Sequence, residues 1–469
     1  MIKNTNKDIY WSYFAQIFSV FSGIIILPFI LKLLTPEEVG FYYLLISITS
    51  LVVLFDFGFA PQFARNISYI YGGAQELKKE GVNTINNQNI NYRLLTNMIH
   101  TAKVVYKRLA FVVLLLMISI GTLYISKVTN DFKTIENSFI IWMLFSVSIS
   151  FNIYYSYYSS ILIGAGKIKE SKKANFYSKL SLIILTILFL KLGYGIFGVA
   201  LANFICPFVN RYLSYKYYFS DEIKLEIGKH NISKREKLEL FKILWFNTKK
   251  LGFVFLGSFA VNRFSIFIAG LFLSLSEVGS LGIMLQFFSL LMVCSSTIFN
   301  VNQPRFSSLR TTDQRNTLLK EFSFTMNIYY ILFLLGSIII ILFGPFVLEL
   351  INSNTILPST QILILFSIVV FLEGNHSIFA SFIVTGNTVP FVNPSLIAAF
   401  FIIILDYIIL DFSSLKILGL VLVQGLVQLA YANWKWPLVV LNDFKISFLD
   451  FIIIGIKESN RRIKSLLLI

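Results

Sequence analysis

The chain has 469 residues, of which 56% are hydrophobic and 14% charged, against about 25% charged in a soluble domain. Its net charge is +16, but the basic residues gather between long apolar runs, so the balance reports membrane topology and argues against a nucleic-acid partner. The two cysteines, Cys206 and Cys294, fall inside apolar runs, which leaves no disulfide framework or metal site to expect.

Apolar runs recur near 10–34, 41–62, 104–126, 138–162, 176–193, 195–219, 251–273, 280–300, 323–345, 361–384, 391–411 and 417–440. Each is long enough to cross a bilayer core, giving about twelve spans. The class is an all-α polytopic membrane protein; a barrel would show short alternating strands. Odd-numbered connections hold few cations, namely Lys32, Lys127, Lys133, Lys191 and Lys416. The rest lie on even connections and at the ends, which places both termini in the cytoplasm. The first run is too long for a signal-peptide core, and Thr35-Pro36-Glu37 is not a small-residue cleavage site, so it stays as a span.

The first two spans are joined by Thr35-Pro36-Glu37-Glu38-Val39-Gly40. A shorter version, Ser274-Leu275-Ser276-Glu277-Val278-Gly279, returns 239 residues later. Gly166 matches Gly386, and Gly198 matches Gly419, at offsets of 220 and 221. Two similar halves in one chain are a transporter arrangement. The division is an N-terminal lobe 1–220 with a cytoplasmic insertion 63–103, a linker 221–250, a C-terminal lobe 251–441 and a cytoplasmic interfacial tail 442–469. In the insertion, Leu94, Leu95, Met98 and Ile99 share a helical face suited to the membrane surface, after a flexible Asn-rich tract, Asn83–Asn91. Ser233 with Glu236 forms a capping box ahead of a linker helix. The tail run Ile446–Ile456 is too short to span. With Lys457, Arg461, Arg462 and Lys464 it reads as an anchor on anionic lipid; the other reading is docking beneath the bundle.

Polar residues inside spans report what faces protein or water. The first span carries Ser12, Gln16, Ser19 and Gly23 on one face. The fourth carries Ser148, Asn152, Ser156 and Ser160, beside Tyr154, Tyr155, Tyr157 and Tyr158. The eighth carries Gln286, Ser289, Ser296 and Asn300. Such stripes either line a wet central cavity or pack helices through small side chains; their occurrence in both halves favours a cavity. Arg263, midway along the seventh span next to Asn262, offers a planar fork of donors suited to phosphate oxygens; a structural ion pair with Asp56 or Glu373 is the plainer alternative. Glu373 and His376, three apart in the tenth span, suit a coupling proton or sodium ion, or a hydrogen-bonded core pair. Asp56 and Arg65, at the inner end of the second span, read as a gate or as a helix-end ion pair. Asp406 sits near the outer end of its span, within reach of interfacial water. Lys32 can snorkel to the interface.

No catalytic pattern is present. There is no G-x-x-x-x-G-K-[ST] loop and no His/Cys cluster with metal spacing. Gly164-Ala165-Gly166-Lys167 ends a membrane helix and reads as its stop. Neither an enzyme nor a resident cofactor is expected. An integral membrane glycosyltransferase or polymerase would need a site on extracytoplasmic loops that are very short here.

Several stretches carry a family resemblance. They are Leu27-Pro28, the Leu33-to-Gly40 turn, Asp56-Phe57-Gly58-Phe59, Ile67-Ser68-Tyr69 with Gly72-to-Gly81, Gly195-Ile196-Phe197-Gly198-Val199-Ala200 and Glu277-Val278-Gly279. Through them nearly the whole chain resembles the Wzx-type oligosaccharide-lipid flippases of the multidrug/oligosaccharidyl-lipid/polysaccharide exporter superfamily. The resemblance implies two six-helix lobes around a central cavity and alternating access in the bacterial cytoplasmic membrane. The implied cargo is an undecaprenyl-diphosphate-linked oligosaccharide for O-antigen or capsule synthesis. It implies membrane lipid and the polysaccharide polymerase machinery as partners, and a monomer. Arg263, Arg65 and Lys32 would meet the diphosphate. Gln16, Ser19, Asn152, Tyr155, Asn262, Gln286 and Asn300 would line the cavity, with Asp56, Glu373 and His376 in coupling or gating. Relatives often carry an acidic residue where this chain has Asn262. A cation-coupled small-molecule exporter of the same superfamily is the alternative.

Overall fold

The computed structural model describes residues 6–77, 89–311, 314–386 and 390–467; side chains at 6–10, 12–13, 16–17, 20, 247, 249–263, 304, 307–308, 311 and 463–467 lie outside the described set. Most of the predicted Asn-rich tract therefore falls outside it. The described residues form helices with no strand. Ten of these helices are long and apolar enough to cross a membrane. The two remaining predicted spans lie on α1 (Asn6–Leu33) and α11 (Lys234–Phe272). Two compact units divide the chain, Met1–Phe259 and Ala260–Ile469.

In unit 1, α2 (Pro36–Val53) does not run straight to the end of the second predicted span. A 3-10 turn, Leu54–Asp56, leads into Phe57 (φ 48°) and Gly58 (φ 83°), and α3 (Phe59–Tyr71) restarts beyond them. The insertion returns as α4 (Tyr92–Leu116), which passes through a π segment, Met117–Gly121, into α5 (Thr122–Val128). The fourth span breaks at Ser156 into α6 (Ser138–Tyr155) and α7 (Tyr157–Gly164). Then come α8 (Ile168–Lys191), α9 (Gly195–Tyr218) and the short α10 (Asp221–Gly228). The inner core joins α3, α4, α7 and α11 through buried Phe63, Met98, Tyr106, Ile161 and Leu244.

The predicted linker capping box forms. Ser233 N donates to Glu236 Oε2 at 2.8 Å, and Glu236 N donates to Ser233 Oγ at 3.2 Å. Arg93 of α4 adds an ion pair to Glu236 at 2.8 Å, tying the insertion to the linker helix. The Arg93 bond, with the two Ser233 bonds, holds the Glu236 carboxyl down to about 2 from its ordinary 4.5. A depressed carboxyl stabilises the fold above its unfolded pKa and loses that contribution as pH falls through the folded one. The melting-point difference between wild type and Glu236→Gln should thus be constant above about pH 5 and vanish as pH nears about 2. A difference that persists unchanged at the acid end would remove this tie from the account.

Unit 2 contains α12 (Leu275–Thr311), α13 (Arg315–Leu350), α14 (Thr360–Val384), α15 (Val392–Phe412), α16 (Lys416–Ala430), α17 (Ala432–Phe444) and α18 (Phe448–Leu467). The tail forms α18 and lies along α13. Phe451 is buried against Phe322 and Phe379, Asn327 Nδ2 donates to Ile452 O at 3.2 Å, and Arg462 pairs with Glu321 at 2.7 Å.

The repeat is visible as one device built twice. Thr35 and Glu38 cap α2 reciprocally, at 2.9 and 3.3 Å, and Ser274 and Glu277 cap α12 in the same way, at 3.0 and 3.3 Å. The second oxygen of each glutamate then clasps the start of the sixth span of its own half. Glu38 Oε1 accepts from Ile196 N at 3.2 Å, beside Gly195 (φ 50°). Glu277 Oε1 accepts from the Lys416 ammonium at 2.6 Å, and Lys416 has φ 49°. Gly195 and Lys416 occupy matching places by the Gly198–Gly419 offset, so the left-handed backbone is retained while the donor changes from a peptide N–H to an ammonium.

Candidate functional site

The proposed diphosphate cations are placed unequally. Arg263 and Asn262 lie on α11, and Gln16 on α1, with side chains outside the described set. Lys32 is exposed in the last turn of α1. Arg65 is exposed on α3 and donates to Gln62 Oε1 at 2.5 Å. Asp56 is not paired with Arg65. Its Oδ1 accepts from the Tyr106 hydroxyl and its Oδ2 from Ala60 N at 3.0 Å, so the carboxylate caps α3 and links it to α4.

Unit 1 holds a cavity of about 290 Å³ among α1, α2, α6, α8 and α9. Its polar wall is Ser22, Tyr42, Thr49, Ser50, Thr186 and Asn203, and its one cation is Lys179. Ser19, half-buried, contributes its carbonyl to Ser22 Oγ at 2.8 Å. Sequence reasoning missed Lys179 because it lies close to a lysine-rich connection and passes as topological charge. The signal was present, since Lys179 falls inside the fifth predicted span.

The fourth-span stripe divides. Ser148 donates to Asn203 O of α9 at 2.7 Å, Ser156 to Ile153 O at 2.7 Å, and Ser160 is buried, so these residues pack helices. Asn152 is exposed. One turn on, Tyr155 stacks on Phe151 at 5.9 Å, and the Arg211 guanidinium sits 5.1 Å over its ring. Asn152, Tyr155 and exposed Arg211 together present an amide, an aromatic face and a planar cation. Arg211 was legible from sequence only as a positive charge near the inner end of its span.

Unit 2 has a cavity of about 300 Å³ among α12, α14 and α16, lined by Ser289, Met292, Glu373, Ser377 and Gln424 among others. Glu373 Oε2 accepts from Gln424 Nε2 at 2.8 Å. His376 is buried, and its Nδ1 lies 2.8 Å from Asn433 Oδ1 of α17. The two residues therefore share a face of α14 but turn to different neighbours. Gln286 is half-buried and Asn300 exposed on α12. Asp406 corrects the expectation of interfacial water: it is 0% exposed, and among the described residues neither carboxylate oxygen has a hydrogen-bond partner of good geometry. Its polar neighbour is Ser265 of α11, a direction that span position alone does not reveal.

No protein-family model matches the chain, and no curated protein does. Solved structures do. An inward-facing multidrug resistance MATE family transporter of the MOP superfamily matches with a TM-score of 0.66 at 12% identity, over 91% of this chain and 95% of that one. Lipid II flippase MurJ, in an inward closed conformation, matches with a TM-score of 0.60 at 14% identity, over 97% and 91%. The MATE multidrug transporter DinF-BH gives 0.60 at 14% identity, over 92% and 94%. Identity this low speaks to architecture alone, and over nearly its full length this chain has the fold of the MOP-superfamily transporters.

Proposed function

We propose that the protein is a flippase that moves an undecaprenyl-diphosphate-linked oligosaccharide across the bacterial cytoplasmic membrane by alternating access, for O-antigen or capsule synthesis. The observation that carries this reading is the hydroxyl- and amide-lined, cation-bearing cavity among the membrane helices of unit 1, in a fold shared with a lipid II flippase. Sugars need hydroxyl and amide partners and aromatic faces, which Asn203, Asn152 and Tyr155 supply. A diphosphate needs cations, which Arg263, Arg65, Lys32 and Arg211 supply.

Movement against a gradient needs a coupling ion. Glu373 faces a cavity large enough for water and is held by a single neutral amide, so it can exchange a proton or a sodium ion; the buried Asp406 is a second carrier on the same unit. The Glu373 cavity and the MATE-type fold also support a second reading, cation-coupled export of a small molecule. Reconstitution in proteoliposomes with a fluorescent lipid-diphosphate-linked oligosaccharide separates the two. Gradient-dependent loss of the glycan from one leaflet supports flipping, whereas accumulation of a cationic dye with an immobile glycan lipid supports export. Under the flippase reading, Glu373→Gln should still bind the lipid but lose the dependence of its flux on the imposed proton or sodium gradient. Unchanged gradient dependence in that variant would take the coupling role away from Glu373.

A further inference from the structure

We propose that the unit 1 cavity is a recognition site for a singly anionic, polyhydroxylated group, namely a carboxylated sugar of the transported glycan, with Lys179 as its charge partner. This rests on the flippase reading and specifies its cargo.

Lys179 is eleven residues into α8 (Ile168–Lys191), about 16 Å along the helix axis at 1.5 Å per residue, and so about one turn inside the apolar run 176–193. A lysine held at that depth costs free energy unless it finds water, a partner or a ligand. Among the described residues it makes no hydrogen bond and no ion pair. Its neighbour by electrostatics is the Cys206 thiol, and no carboxylate lines the cavity it borders. The ammonium is thus a charge provided without a resident counter-ion.

The rest of the wall defines what accompanies that charge. Ser22 Oγ donates to Ser19 O, Thr49 Oγ1 to Leu45 O and Ser50 Oγ to Ile46 O. Each hydroxyl proton is spent on its own helix, so each oxygen turns lone pairs outward. The Asn203 amide nitrogen donates to Val199 O, which leaves its side-chain carbonyl as an acceptor. The cavity therefore presents several acceptors, the hydroxyls of Tyr42 and Thr186, which can donate or accept, and one cation, and its complement is a ligand with several hydroxyl groups and one negative charge. Charge count separates this ligand from the diphosphate, which carries more than one negative charge and calls for several cations. A volume of about 290 Å³ sits at the small end of ligand cavities, suited to one sugar residue rather than a chain.

The test uses the full-length protein in proteoliposomes with two undecaprenyl-diphosphate-linked disaccharides, one ending in glucuronate and one in glucose. Binding of free glucuronate, glucose and inorganic phosphate is measured alongside by saturation-transfer NMR. The expected result is that wild type moves the glucuronate lipid at least tenfold faster than the glucose lipid. Lys179→Gln should bring the ratio of glucuronate-lipid to glucose-lipid transport down to about one, and Lys179→Arg should restore it. Free glucuronate should bind wild type and be displaced poorly by phosphate. Equal transport of the two lipids by wild type overturns the proposal, and this comparison needs no variant to fold. Retention of the preference in Lys179→Gln overturns it, as does displacement of glucuronate by phosphate at equal concentration. If neither lipid moves while glucuronate still binds through Lys179, the flippase reading fails and the site assignment stands.

Discussion

Arg263→Ala is expected to leave the protein in the membrane and to reduce translocation to background. An arginine at that depth stays protonated and can offer two parallel N–H donors to a phosphate. Hydrogen bonds to a charged group contribute about 1.5–3 kcal/mol each, so losing two exceeds a hundredfold at about 1.4 kcal/mol per tenfold. Arg263→Lys keeps the charge and loses the fork, and it should recover part of the rate. The measurement is initial flux of the lipid-linked oligosaccharide in proteoliposomes, normalised to inserted protein. Normal flux in Arg263→Ala would sink the diphosphate role assigned to this side chain.

The largest expected effect on stability lies at Gly164. This residue ends α7 where that helix crosses α3, and a Cβ built on it would sit 2.6 Å from Ala64 O and 2.6 Å from Ile67 Cβ. Ser160, one turn earlier, is also small and buried. Small residues four apart let two membrane helices approach closely. The obstacle is backbone, so it cannot swing aside as a flexible side chain would. Gly164→Leu should destabilise the N-terminal unit by about 3 kcal/mol or more, at the upper end of overpacking costs, and lower its melting point in detergent by several degrees. Gly425→Leu makes a useful comparison, because its close neighbour is the Val369 side chain, which can give way. If Gly164→Leu melts with wild type, the crossing is looser than its geometry states.

Part of the candidate site was legible before any tertiary information. The cap at Ser233–Glu236 was readable because a capping box closes over three residues of contiguous chain, and the turns at Thr35–Gly40 and Ser274–Gly279 were readable as a repeated motif between apolar runs. Glu373 was readable as an anomaly, a carboxylate in an otherwise apolar run. The stripes were less informative than their spacing suggested. Ser148, Ser156 and Ser160 turn to neighbouring backbone or lie buried, and only Asn152 of that set is exposed. Lys179 and Arg211 were hidden for the opposite reason, since near a lysine-rich connection a cation that borders a cavity and one that only marks topology have the same sequence signature.

The amino-acid sequence by itself determined the membrane class, the run of apolar helices, the Ser233–Glu236 cap and the doubled plan. All of these follow from local chemistry: apolar length against bilayer thickness, a repeated turn motif, and hydrogen bonds closed within one turn. Only the tertiary structure decided that Glu373 meets Gln424 while His376 meets Asn433, that Asp406 is buried beside Ser265, and that Lys179 borders a cavity. Helical periodicity says which residues share a face, but the neighbour that face meets is chosen by helix packing across hundreds of residues, where no local spacing rule reaches.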